Sequence, residues 1–156
     1  DPPGYLIPKF VCLVGAVLVS HVLNFWIPGL LLLPAETWPA HTTGLIAIVL
    51  HDTWLVGLTM LFVCLTGQSL GGLLASTGFL LVLDWVGSAL LNWIGAAFGR
   101  PVLSMLASLS PWFLAREIAN PAATSMLGPA LLLICYAVTS VVLAIVVLRR
   151  KEYATI

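Results

Sequence analysis

The chain reads as an all-α, polytopic membrane helix bundle forming a single transmembrane domain over residues 1–156. Three observations predict this. Of its 156 residues, 61% are hydrophobic and 8% charged, where water-soluble domains carry about 25% charged residues. Mean hydropathy is +1.12. The apolar residues are also gathered into runs of about 20, the length that crosses a hydrocarbon core. Six Lys/Arg and six Asp/Glu cannot coat a soluble fold of this size, and so much apolar surface excludes intrinsic disorder. Zero formal charge leaves no electrostatic footprint for nucleic acid.

Four spans are expected, at about 9–27, 53–74, 79–98 and 129–148. The opening Asp1-Pro2-Pro3-Gly4 reads as a turn or cut end. No signal-peptide pattern precedes the apolar body, and the natural protein is expected to continue upstream. Pro8 suits a first helical turn, and Pro28-Gly29 should break or kink the far end. Leu30 to Leu33 continue into an interfacial corner, with Trp26 and Trp38 as belt aromatics. Asp52 reads as the N-cap of the second span. Ser76-Thr77-Gly78 is expected to break the chain before the third, and Arg149-Arg150-Lys151 to stop the fourth.

Two apolar stretches, 41–50 and 101–118, are too short to cross and read as interfacial or re-entrant segments. If the spans alternate, both lie on the extracytosolic side. In the second, Ser110 is placed to cap a short helix that starts at Pro111. Lys9 and the Arg149-Arg150-Lys151 cluster share one face, against Arg100 and Arg116 on the other. Four basic residues against two put both termini in the cytosol. Cys12, Cys64 and Cys135 each sit in an apolar run and read as small buried hydrophobes.

Asp84 is the costliest residue to place, about one and a half turns into the third span. Ser88 and Asn92, four and eight residues on, extend a polar stripe along the same face. This stripe reads either as part of a substrate path or as side chains reaching the interface or neighbouring hydroxyls. His21 and Asn24 lie three apart on the first span. The histidine reads as neutral and paired within its helix, or as a second polar point on the path. His41 and His51 fall at or outside the core edge, so no bis-histidine haem is expected. His51-Asp52 lacks a third ligand for zinc. No phosphate-binding loop with Gly-Lys-Ser/Thr occurs, and no cofactor is expected.

Gly67-Gln68-Ser69-Leu70-Gly71 fits the nucleophile pattern G-x-S-x-G, but that motif needs a strand before its turn. The same residues read more simply as a stripe, Gly67, Gly71 and Ala75, that lets helices approach closely.

Taken in order, these features resemble the C-terminal part of the permease of a type-2 ATP-binding-cassette exporter. Tyr5-Leu6-Ile7-Pro8-Lys9-Phe10 resembles the segment leading from the cytosolic coupling region into a span. The run from Gly67 to Phe79 is similar to the family's helix–turn–helix junction, without the basic residue often found at the turn. Leu109-Ser110-Pro111-Trp112-Phe113-Leu114-Ala115 looks like its extracytosolic half-helices, and Leu148-Arg149-Arg150-Lys151-Glu152-Tyr153 like its basic C-terminal stop. The family's N-terminal helix, first span and coupling helix have no counterpart in these residues. The resemblance implies a non-catalytic membrane subunit that works with a separate ATPase subunit and a second permease half in a bacterial-type inner membrane. A lipid-like, apolar or polymeric substrate would be moved at the cost of ATP. Two other classes fit the composition. One is an accessory subunit of a respiratory or photosynthetic complex, its Arg/Lys tail on anionic membrane lipids. The other is an intramembrane hydrolase using Ser69 with His21 or His51.

Overall fold

The computed structural model describes residues 2–99, 110–120 and 125–153. Helix α1 (Pro2–His21) passes through a five-residue π-turn, Val22–Trp26, into α2 (Ile27–Leu32). A single 3-10 turn, Ala35–Thr37, leads to α3 (Trp38–Thr66). Then follow α4 (Ser69–Phe98), the short α5 (Pro111–Ala119) and α6 (Leu127–Tyr153). No strand occurs among the described residues. Among the described residues, three helical stretches are long and apolar enough to cross a membrane: Pro2–Leu32, Ala35–Thr66 and Leu127–Lys151. By length and composition this is an integral membrane protein.

Helix α3 is the hub, packing against α1, α4, α5 and α6. In lipid there is no hydrophobic force to drive helices together, so close van der Waals fit has to do it. The α3–α6 seam provides that fit. A Cβ added at Gly57 would lie 3.0 Å from the Ala137 carbonyl oxygen and 3.3 Å from Ser140 Cβ. Leu133, Ala137, Val141 and Ala144 are buried along α6 at three- and four-residue spacing, which is one helix face. Helix α5 closes the N-terminal halves of α3 and α6. Its Leu114 and Ile118, both fully buried, meet Ala47 and Leu133. At the other end, Leu6 of α1 packs with Met60, Cys64 and Ala144.

Lys151 of α6 donates to the Leu65 carbonyl at 2.8 Å, and Lys9, Gly67 and Lys151 line a common cavity. The first turns of α1 and the last turns of α3 and α6 therefore share one end of the bundle.

Several expected boundaries are corrected. The 41–50 segment and the start of the second span form one helix, α3. No glycine or proline interrupts 45–56, and the backbone ladder runs on through Asp52. The break expected at Ser76-Thr77-Gly78 falls at Gly67 instead. Gly67 takes φ +74°, and its N–H reaches the Val63 carbonyl at 2.9 Å, the left-handed close of a helix. Pro28 does not end the first span. It lies just beyond the π-turn, where its missing N–H interrupts the regular ladder. The helix also runs through Arg149-Arg150-Lys151 to Tyr153. These cations sit in its last turns, where the negative end of the dipole favours them. Ser110 precedes Pro111 at the start of α5 as expected, but its side chain makes no cap bond. Residues 101–109 of the second short segment lie outside the described residues. Cys64 is buried, whereas Cys12 and Cys135 lie on outward faces.

Candidate functional site: a His–Asp–His bridge inside a span

Asp52 lies fourteen residues from Trp38 and fourteen from Thr66. At 1.5 Å per residue that is about 21 Å from either end, the middle of the spanning helix. A lone carboxylate there would be costly, and the structure gives it two partners. His21, the last residue of α1, brings Nε2 to 2.7 Å from Oδ2. His51, its neighbour on α3, brings Nδ1 to 3.2 Å from Oδ1. Both carboxylate oxygens are therefore engaged, one from each helix.

The two imidazoles are held differently. The His51 ring stands edge-on to Trp54 of α3, with centroids 5.7 Å apart, and to Trp112 of α5 at 5.6 Å. Its position is fixed by α5 packing. His21 is anchored by its own helix and precedes the π-turn, so its bond to Asp52 is what joins α1 to α3 at this level. Farther along, the His41 Nε2–H donates to the Phe25 carbonyl at 3.1 Å. It also stacks on the Phe25 ring at 4.4 Å. The Trp26 indole N–H donates to the Thr42 hydroxyl at 3.3 Å.

Asp52 also lines a cavity of about 700 Å³ between α1, α3 and α6. Its walls are mostly aliphatic, and Tyr5, Lys9 and Lys151 line its opposite end. Lys9 donates to the Tyr5 hydroxyl.

Of the expected polar residues whose side chains are described, His21 belongs to this site and Asn24 does not. His21 pairs across to Asp52 rather than within its own helix. Asn24 is exposed and turns back to its own helix, donating to the Ser20 carbonyl at 2.9 Å. Asp84, Ser88 and Asn92 fall on α4, and their side chains lie outside the described residues.

No family model, curated protein or solved structure matches the chain. The site is therefore read from its geometry alone. Among the described residues, no group of three or more His, Cys, Asp or Glu is arranged to hold a metal. The imidazole nitrogens nearest Asp52 are taken up by its oxygens and do not converge on a vacant centre. Ser69 is the exposed first residue of α4, following a helix rather than a strand. Both histidines proposed as its partners are engaged with Asp52.

The close approach of α4 to α3 is made by Gly72. A Cβ there would lie 2.5 Å from the Val63 backbone nitrogen and 2.6 Å from its Cα. Gly67 sits in the turn, and a Cβ at Gly71 would make only ordinary contacts near 3.6 Å with Thr66. One turn on, Ser76 is buried and accepts from the Thr59 hydroxyl at 3.2 Å. The contact stripe thus runs one residue out of step with Gly67, Gly71 and Ala75.

The sequence carried a signal for the Asp52 site, which was the His51-Asp52 pair inside an unpunctuated apolar run. His21 stood out as a polar residue of the first span, but its pairing with Asp52, thirty-one residues away, left no local trace.

Proposed function

We propose that this chain is a membrane-spanning permease subunit of an ATP-driven exporter, of the type-2 ATP-binding-cassette kind that its sequence resembles. It would move a lipid-like, apolar or polymeric substrate, with a separate ATPase and a second permease half as partners. The supporting observation is the His21–Asp52–His51 bridge in the middle of the span. A purely structural membrane subunit has no need of an ionisable cluster at that depth, and such groups normally mark transport or proton paths. The bridge also joins two different helices at the inner end of an apolar cavity, so it can break and reform as α1 moves against α3. On this reading the end carrying Lys9, Arg149, Arg150 and Lys151 faces the cytosol of a bacterial-type inner membrane.

The test is affinity purification of the full chain from its native membrane, followed by ATPase assay. An ATP-binding-cassette ATPase should co-purify. Its activity should change when Asp52→Asn removes the charge but keeps the shape. Co-purification with redox subunits and no ATPase would replace this reading with an accessory role.

A further inference from the structure

The cavity between α1, α3 and α6 carries information the bridge does not. Its volume of about 700 Å³ falls in the range of roughly 300–1,000 Å³ typical of small-molecule sites. Its polarity is graded along its length. At one end are two ammonium groups, Lys9 from α1 and Lys151 from α6. Lys9 lies against the Tyr5 phenol, its Nζ 3.9 Å from the ring centroid, and Lys151 donates to the Leu65 carbonyl. The shaft is lined by Leu13 and Val17 on one wall and by Val56 and Met60 on the other. At the other end Asp52 lines the cavity, each of its oxygens meeting an imidazole.

On α3 the lining runs through Leu55, Val56, Thr59, Met60 and Val63, one continuous helix face along which an acyl chain can lie. Gly67 at the basic end and Asp52 at the deep end are fifteen residues apart on α3, about 22 Å of helix. That exceeds the depth of one leaflet, half of a hydrocarbon core about 30 Å thick. We infer that this cavity is a binding site for an anionic lipid drawn from the bilayer. Its headgroup meets Lys9 and Lys151, and its acyl chain lies along Val56 and Met60 toward Asp52. Charge complementarity selects the anion. The site is a property of this chain alone and stands whether or not an ATPase drives it.

The experiment uses the full chain purified in a non-ionic detergent, with a diazirine-bearing fatty acid and its uncharged alcohol counterpart as probes. Cross-linked residues are mapped by mass spectrometry. The acid should label Val56, Met60 and Val63 saturably, and the alcohol far less. Lys9→Ala and Lys151→Ala should each weaken labelling about fivefold, the weight of one basic side chain at a membrane surface. Lys9→Arg should retain it, separating charge from folding. Val56→Trp should block the shaft while circular dichroism and gel filtration stay unchanged. Equal labelling by acid and alcohol would overturn the proposal. So would labelling spread over the outward-facing Leu31 and Leu132, or indifference to both lysine substitutions. Because no ATPase is present, the result is independent of the transporter reading.

Discussion

The imidazole of His21 and the carboxylate of Asp52, on two different helices, meet at 2.7 Å with side chains 27% and 30% exposed. This contact ties α1 to α3 at the middle of α3. Removing either partner strands the other in a poorly solvated place. His21→Ala and Asp52→Ala should each destabilise the fold by about 1–3 kcal/mol, read from unfolding in mixed micelles. The double variant should lose less than the sum of the two. His21→Leu with Asp52→Leu should recover much of the stability while abolishing any ATPase stimulation.

Gly72 and Gly71 are neighbours with opposite tolerance. Gly72→Val would drive a side chain into the Val63 backbone, and the backbone cannot step aside as a side-chain tip can. It should push α4 off α3 and destabilise by about 1–3 kcal/mol or more. Val63→Ala should not rescue it. Gly71→Leu, facing only ordinary contacts, should unfold at nearly the wild-type detergent or denaturant midpoint.

Gly67→Ala tests the turn between α3 and α4. The residue sits at φ +74°, a conformation costing a non-glycine residue roughly 1–2 kcal/mol. Stability should fall by about that much, and Gly67→Asn should fall less, since Asn tolerates the left-handed region.

Gly29→Ala would place a Cβ onto the His41 ring. That ring is the end of a side chain and can swing away, at the loss of its bond to the Phe25 carbonyl. A cost of about 0.5–1.5 kcal/mol is expected, and it should vanish in a His41→Ala background.

Helix content and membrane character were legible in the sequence because both depend on local composition. Boundaries were less so, and Asp52 shows why. A charged residue beside histidine reads as a helix end when each residue is weighed alone. What pays for its burial is His21, and that pairing exists only once two helices are packed. The α3–α4 turn was misplaced for a related reason. Ser76-Thr77-Gly78 and Gly67-Gln68 are equally good punctuation, and the choice falls where Gly72 and buried Ser76 are needed for contact with Val63 and Thr59. Gly57 was passed over because its function depends on Ala137 and Ser140 of a distant helix.

The π-turn at Val22–Trp26 has a further effect on phase. His21 and Gly29 are eight residues apart, which in regular α-helix leaves them about 80° out of alignment. A turn closed by i→i+5 bonds winds less per residue and absorbs that excess. On α3, Asp52 and His41 are eleven residues apart, about three whole turns, and need no such adjustment. The wide turn therefore brings two antiparallel helices into step, so that His21 faces Asp52 while Gly29 faces His41. Deleting one residue between 22 and 26 would restore regular winding and put one of those two meetings out of phase. Chain length in this stretch is fixed by angle, even where its side chains are free to vary.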